Sequence, residues 1–262
     1  MDYDTAYANA KFIPGGDAYP ARWAEKAAAY REKLGQRART GLRYGPGPKH
    51  WFDLFLPDAA PKGLVVFIHG GYWLRFSPSD FSHLSAGPLA RGWAVAMPAY
   101  TLAPAAHIPE ITMEILRALP AMAAEVEGPI VICGHSAGGH LAARMAAASV
   151  ALPDNVAGRL QRVVPISPVG DLRPLMHTAM NADLGLDAAD ALAESPTLMP
   201  PRRGARVHVW VGGDERPAFL DQARRLGNAW ACRVTVEAGK HHFDIIEGLE
   251  DPESPLMHAL LP

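Results

Sequence analysis

IVICGHSAGGH, the stretch at residues 130–140, is an apolar run that passes through a Gly-x-Ser-x-Gly pattern into residues typical of a helix. A strand, a tight turn and a helix in this order turn that common pattern into a nucleophile elbow, with the serine side chain projecting beyond the sheet. Gly134 and Gly138 are expected there because a Cβ at either position would collide with the neighbouring strand or helix. We therefore predict that Ser136 is a nucleophile. The alternative is a serine that only caps a glycine-flanked helix.

A second glycine-bearing loop follows another apolar run upstream. Residues 64–68 read LVVFI, which is typical of a buried parallel strand, and they lead into His69-Gly-Gly-Tyr-Trp. Loops of this type present backbone N–H groups to the negative charge that develops on a tetrahedral intermediate. We predict an oxyanion hole formed by the amides of Gly70, Gly71 and Ala137, with His69 in a structural role. The alternative is a plain glycine turn.

Two predicted strands further along the chain each lead to residues suited to proton transfer. Residues 205–211 read ARVHVWV and lead to GGDE, and residues 233–237 read RVTVE and lead to AGKHHFD. We predict Asp214 as the acid and His242 as the base that act with Ser136. The chain order serine, acid, histidine is typical of the α/β-hydrolase fold and differs from the orders of chymotrypsin and subtilisin.

Both of these assignments have alternatives in the sequence. Asp171 also follows a predicted strand, in the stretch SPVGD, and some hydrolases place their acid there. Glu215, next to Asp214, is interpreted as a solvated neighbour or as a residue at the start of a helix. Because His241 and His242 are adjacent, only one of them is expected to point into the site.

Taken together, residues 69–73, 134–140 and 242–244 resemble the kynurenine formamidase (arylformamidase) group of the α/β-hydrolases. The resemblance runs from Tyr7 to about Leu249, and several further segments agree with it: residues 100–104, residues 171–175, Asn181, residues 184–186, residues 195–196 and Gln222. The His-Gly-Gly-x-Trp loop is its more specific part, since related hydrolases share the elbow. The resemblance implies a serine hydrolase that cleaves a small acyl group, with the formyl group of N-formylkynurenine as the expected target.

Other functions stay open at this point. A short-chain carboxylesterase or thioesterase would use the same residues, and a non-catalytic α/β-hydrolase could act as a binding module. Such modules usually lose a member of the triad or of the oxyanion hole, whereas all of them are present in this sequence, which favours an enzyme. Tyr72 and Trp73 are predicted to contact substrate because they lie on the oxyanion loop, and a core position is the alternative for each.

The expected fold class is α/β: a mostly parallel eight-stranded sheet with helices on both faces and a small partial cap. We expect a single domain over residues 1–262, with a helical segment at residues 1–38. Residues 171–201 are polar, proline-bearing and weakly periodic, and we predict that they form the partial cap over the site. Residues 41–44 and 51–56 are predicted as the first two strands, joined by a Gly-Pro-Gly-Pro turn.

The composition fits a compact enzyme of the cytoplasm. A chain of 262 residues that is 49% hydrophobic can bury a large core, and a net charge of −2 gives no reason to expect nucleic acid or a membrane as a partner. The first residues lack the apolar segment of a secretory signal, and no apolar run approaches the ~20 residues of a membrane span. Cys133 and Cys232 form no disulfide framework. No cofactor and no metal are expected; the expected partner is a small acyl substrate, and a homodimer is compatible with the sequence.

Overall fold

The computed structural model describes residues 2–261, which form one eight-stranded sheet flanked by helices. The strands are Ala38–Arg43 (β1), Trp51–Phe55 (β2), Leu64–Ile68 (β3), Ala94–Pro98 (β4), Ile130–His135 (β5), Leu160–Ile166 (β6), His208–Gly212 (β7) and Arg233–Glu237 (β8). The α-helices are Tyr3–Tyr7 (α1), Tyr19–Leu34 (α2), Ala86–Ala90 (α3), Ile108–Glu125 (α4), Ala137–Ala146 (α5), Asp154–Ala157 (α6), Asn181–Leu184 (α7), Ala188–Ala193 (α8), Pro217–Trp230 (α9) and Pro255–Leu260 (α10).

The sheet is mostly parallel, as predicted, with the strand order β1-β2-β4-β3-β5-β6-β7-β8. β1 pairs with β2 and β2 with β4 in antiparallel fashion, and every later pair is parallel. Parallel strands direct their carboxyl ends to the same edge, so the turns after β3, β5, β7 and β8 meet there. Within residues 2–261, no helix has both the length and the apolarity needed to cross a membrane.

Alternate residues of the central strands enter two separate cores, one on each face of the sheet. In β3, Leu64, Val66 and Ile68 join the core that contains side chains of α4, α5 and α9. Val65 and Phe67 join the core that contains side chains of α2, α3 and α10. Because successive side chains of a strand point to opposite faces, a strand covered on both faces must be apolar throughout. The continuous apolar runs in the sequence therefore belong to the middle of the sheet.

Glycine allows helix α5 to start very close to the sheet. A Cβ on Gly138 would lie 2.0 Å from the carbonyl oxygen of Ile68, and a Cβ on Gly134 would lie 2.2 Å from the carbonyl oxygen of Gly138. Both distances are shorter than any tolerable contact, so the expected steric reason for these glycines is confirmed. The close approach places Ser136 at the tip of the turn between β5 and α5.

Residues 171–201 do not form the predicted cap. Several of their apolar side chains, including Leu172, Leu175 and Leu184, are buried in the core on the α4, α5 and α9 face of the sheet. The buried carboxylate of Glu194 accepts hydrogen bonds from Arg144 of α5 at 2.9 and 3.1 Å, which joins the segment to that helix. The polar, proline-bearing sequence indicated an irregular segment, but several of its apolar residues pack on the core. The side chains in front of Ser136 come mainly from another part of the chain.

Candidate active site

The backbone of the elbow places the Ser136 side chain at the carboxyl edge of the sheet. Ser136 has φ 57° and ψ −114°, a conformation that residues with a side chain rarely adopt. Its N–H donates to the carbonyl oxygen of Ile166 at 2.9 Å, which fixes the turn against β6. The residue is 2% exposed, so its hydroxyl lies in a largely water-excluded site.

A chain of hydrogen bonds joins three side chains from three different loops. The Oγ of Ser136 lies 3.1 Å from Nε2 of His242, and Nδ1 of the same ring lies 2.6 Å from Oε2 of Glu215. Since a carboxylate can only accept, Nδ1 carries the proton, and Nε2 is left to accept from the serine hydroxyl. This arrangement of nucleophile, base and orienting acid is the one required for nucleophilic acyl transfer.

The carboxylate of Glu215 is held by donors on both oxygens, and its side chain is fully buried. Oε1 accepts from the N–H of Gly212 at 2.8 Å and from the hydroxyl of Ser167, while Oε2 accepts from His242. Hydrogen bonds to the charged form offset the cost of removing a carboxylate from water. The carboxylate is therefore fixed in position and direction before any substrate binds.

The acid that contacts the imidazole is Glu215 and not Asp214, which corrects the prediction. The N–H of Asp214 donates to the carbonyl oxygen of Lys240 at 2.9 Å, and its side chain is exposed. The turn then folds back over the end of β7, with the N–H of Glu215 3.4 Å from the oxygen of Gly212, and directs the next side chain inward. The interpretation of Glu215 as a solvated neighbour is wrong, because its side chain is fully buried.

The two alternative residues lie elsewhere. Asp171 is buried beside α9, where its carboxylate pairs with Arg173 at 2.7 Å and Arg225 at 3.6 Å. His241 points away from the serine: its Nε2 lies 3.2 Å from the hydroxyl of Tyr19, and its Nδ1 accepts from the N–H of Phe243 at 3.2 Å. Of the two adjacent histidines, the structure places only His242 against Ser136.

The loop predicted to hold the oxyanion lies directly against the elbow. A Cβ on Gly70 would come within 2.7 Å of the carbonyl oxygen of His135 and 3.1 Å of the Cβ of Ser136. Gly71 has φ +106°, and a Cβ there would lie 2.6 Å from the oxygen of Arg75. Among residues 2–261, no hydrogen bond uses the backbone N–H of Gly70, Gly71 or Ala137. The three amides named in the sequence analysis are therefore free to bind an anion, and the amino end of α5 adds its positive dipole.

Within the same loop, Tyr72 and Trp73 have different environments. Tyr72 is half-buried and lines the cavity in front of the serine. Trp73 is fully buried, and its ring packs edge-on against His140 with centroids 5.1 Å apart, so the prediction that it contacts substrate is wrong. His69 is structural, as expected: its ring stacks on Tyr100 at 4.3 Å, and burial lowers its pKa to about 4.

Two further histidines flank the serine in the sequence and are uncharged in the fold. Nε2 of His135 donates to the carbonyl oxygen of His242 at 2.8 Å, and Nε2 of His140 donates to the oxygen of Glu194 at 2.7 Å. Burial is the main cause that lowers both pKa values, well below the usual range for His135 and to about 3 for His140. Because His135 is neutral, it braces the His242 loop without placing a positive charge beside that ring.

A cavity of about 490 Å³ opens in front of Ser136, and the N-terminal part of the chain forms one of its walls. Residues 4–23 contribute ten lining residues, among them Asn9, Lys11, Asp17 and Trp23, whereas residues 171–201 contribute only Met180. Sequence reasoning missed this wall. Its only sequence signal is that the family resemblance already begins at Tyr7.

Aromatic side chains dominate the apolar part of this cavity. They come from α2, from the loop after β3 and from the loop after β8, and comprise Trp23, Tyr72, Phe76, Phe81 and Phe243. Charged side chains line its outer part: Asp4, Lys11, Asp17 and Arg75, all of them exposed. A flat, apolar group with polar substituents at its outer end would therefore find complementary surfaces on one side of the serine.

Comparisons with known proteins agree with this fold. A family model described as an alpha/beta hydrolase fold matches residues 65–238. Kynurenine formamidases of Salmo salar and Danio rerio are each 26% identical to this chain, over 83% and 90% of its length and 79% and 85% of theirs. A crystal structure from Silicibacter sp. TM1040, of a protein provisionally described as a thioesterase, matches with 54% identity and a TM-score of 0.96 over 99% of both chains. The resemblance inferred from the motifs is thus confirmed.

Proposed function

Because the chain belongs to the α/β-hydrolase family, we propose that it is a serine hydrolase in which Ser136 is the nucleophile, His242 the base and Glu215 the acid. One observation carries the proposal: the hydrogen-bonded chain from Ser136 through His242 to Glu215 ends in the cavity, beside three free amides. A buried nucleophile, base and orienting acid that meet at anion-binding amides form the pattern expected of acyl transfer.

In the first half of the reaction, the Oγ of Ser136 forms a bond to the acyl carbon while Nε2 of His242 takes the hydroxyl proton. The carbonyl electron pair moves to oxygen, and the amides of Gly70, Gly71 and Ala137 stabilise that charge. Glu215 stabilises the imidazolium through Nδ1 without taking its proton. When the intermediate collapses, Nε2 gives its proton to the leaving nitrogen, the carbon–nitrogen bond breaks, and the acyl group stays on the serine.

In the second half, water replaces the departed amine. His242 removes one proton from the water as its oxygen bonds to the acyl carbon, and the same amides bind the second oxyanion. The bond to Oγ then breaks, the proton returns to the serine, and the carboxylic acid leaves. For a formyl group the products are formate and a free amine, so the two halves together consume one water.

We propose an aryl formamide as the substrate, with N-formylkynurenine as the specific candidate. Kynurenine formamidases share 26% identity with this chain over most of their length, which supports this choice. The aromatic lining of the cavity also supports it, because a flat arylamine would pack there as the leaving group. An arylamine leaves more readily than an alkylamine, so an esterase-like site is sufficient to release it.

A short-chain thioester or ester is the second candidate. The supporting observation is the 54% identity to the Silicibacter protein, which is provisionally described as a thioesterase. The same serine, base and amides would serve, since a thiolate or alkoxide leaves from the same tetrahedral intermediate. Only the group that occupies the aromatic side of the cavity would differ.

Rates on matched substrates test these proposals. We expect kcat/KM for N-formyl-L-kynurenine to exceed that for p-nitrophenyl acetate and for S-phenyl thioacetate, and Ser136→Ala to lower all three by about 10⁴-fold or more. A preference for the thioester with no release of formate would support the second candidate. Substantial activity in a folded Ser136→Ala protein would remove this serine from the mechanism.

The assembly and location of the chain stay proposals from its sequence. We propose a homodimer in the cytoplasm. The mass in dilute solution, measured by light scattering, tests the first part, and a fluorescent fusion in the source cell tests the second.

A further inference from the structure

Tyr7, at the end of helix α1, contacts the oxyanion loop directly and approaches His242 through one intervening side chain, Phe219. Its carbonyl oxygen accepts a hydrogen bond of 2.6 Å from the hydroxyl of Tyr72 on the oxyanion loop. Its ring packs edge-on against Phe219 with centroids 5.8 Å apart, and the ring of Phe219 lies 4.2 Å from the imidazole of His242. One residue of the N-terminal wall therefore connects the loop that binds the oxyanion with the base that moves the proton.

Tyr7 is itself fixed by buried hydrogen bonds. Its hydroxyl accepts from Nε2 of Gln222 at 2.7 Å, and the second N–H of that amide donates to the carbonyl oxygen of Asp171 at 2.8 Å. The amide oxygen of Gln222 accepts from the N–H of Asp171 at 2.7 Å. All the hydrogen-bonding groups of the Gln222 amide are engaged. Because Gln222 and Phe219 lie one turn apart on α9, both sides of Tyr7 rest on the same rigid helix.

The oxyanion loop needs such a support because its backbone is strained. Gly71 has φ +106°, and the next two residues, Tyr72 and Trp73, have φ +54° and +58°, where side chains are disfavoured. Strained conformations persist only when surrounding contacts hold them. Trp73 is held by burial, whereas Tyr72 is only half-buried, and its hydroxyl donates to the carbonyl oxygen of Tyr7, 65 residues away in the chain.

We propose that the hydrogen bond from Tyr72 to Tyr7 is a positioning contact through which helix α1 holds the oxyanion loop in its working geometry. Tyr72 and Tyr7 act on the chemistry through the amide of Gly71, and neither exchanges a proton with the substrate. The N-terminal segment then has two tasks, to wall the cavity and to align an oxyanion donor. The inference rests on the proposed serine hydrolase function.

Tyr72→Phe tests the contact, since it removes only the hydroxyl and keeps the ring. With p-nitrophenyl acetate, we expect kcat to fall about 10- to 100-fold and KM to change less than about threefold, because a misplaced donor weakens the transition state more than the ground state. Affinity for phenylboronic acid, whose tetrahedral adduct on Ser136 places an oxygen in the oxyanion hole, should fall by a similar factor. Tyr44→Phe is the matched control: its half-buried hydroxyl donates to the oxygen of Ala99 at 2.8 Å, and its loss should leave kcat unchanged.

Four results would overturn the inference. An unchanged kcat and boronate affinity in Tyr72→Phe would do so, and so would an effect confined to KM, which would make Tyr72 a substrate contact. An equal loss of kcat in Tyr44→Phe would contradict it as well. A lower melting temperature without a change in kcat would indicate a purely structural bond and is the fourth. Failure of the proposed function is seen separately, since Ser136→Ala would then retain activity whatever Tyr72→Phe does.

Discussion

Glu215→Gln is the most informative change, because it alters one charge and no volume. Two donors, the N–H of Gly212 and the hydroxyl of Ser167, bind Oε1 of Glu215, so the carbonyl oxygen of glutamine is expected to occupy that position. The new NH₂ group then faces Nδ1 of His242, which lies 2.6 Å from Oε2. Two N–H groups cannot share that distance, and the imidazole is expected to move its proton to Nε2.

The size of the effect follows from that tautomer. A ring protonated at Nε2 donates to Ser136 and cannot accept its proton, and no negative charge remains to stabilise an imidazolium. The corresponding acid-to-amide change in serine proteases lowers kcat by about 10⁴-fold, which is about 5.5 kcal/mol of transition-state free energy. We expect a loss between about 10³- and 10⁴-fold, with the fold retained because the amide keeps the two donors on its oxygen.

The assay is kcat for p-nitrophenyl acetate at pH 7, with circular dichroism to confirm folding. Asp214→Asn is the matched control: its side chain is exposed at the adjacent position, and we expect its kcat to stay within about threefold of the parent, as for surface substitutions in general. If the Asp214 variant lost more activity than Glu215→Gln, or if Glu215→Gln kept more than a tenth of the parent rate, the assignment of the acid would be wrong.

Three more predictions follow from contacts in the fold. His242→Ala should lower kcat by about 10³-fold or more, whereas His241→Ala, whose ring contacts Tyr19, should cost less than about tenfold; the opposite ranking in the same ester assay would exchange their roles. Gly138→Ala should abolish soluble folded protein, because its Cβ would lie 2.0 Å from the oxygen of Ile68, while Gly158→Ala, with 3.7 Å to its nearest atom, should fold normally by circular dichroism. Burial lowers the pKa of His69 to about 4 and that of His140 to about 3, from the usual histidine value of 6.5. Below pH 6.5 the unfolded chain therefore binds more protons than the folded chain. Stability should therefore fall as the pH drops from about 6.5 towards 4, by up to about 1.4 kcal/mol per pH unit for each such histidine, and urea unfolding of His140→Gln should show a weaker dependence.

The elbow and the sheet could be predicted because their signals are local. In β5 and β3 the apolar runs, the glycines and the turn lie within about a dozen residues, and the sterics of Gly134 and Gly138 leave few other structures for that stretch. The order of the strands in the chain then places the turns after β5, β7 and β8 at one edge of a parallel sheet. For this reason the histidine loop and the acid-bearing turn were both found from the sequence.

The sequence could not distinguish Asp214 from Glu215 as the acid, because the difference depends on a contact between two loops. Both acids follow β7 in one turn, and which of them faces the imidazole depends on the hydrogen bond that the Asp214 amide makes to Lys240, a partner on another loop. The N-terminal wall was missed for the same reason, since Tyr7, about 130 residues before the serine, reaches the site through contacts with distant segments of the chain. Local patterns thus determine which loops carry the chemistry, while contacts between distant segments determine which side chain on each loop is used. It follows that Tyr72→Phe and Glu215→Gln, each of which changes one hydrogen bond between loops, test what sequence patterns leave undetermined.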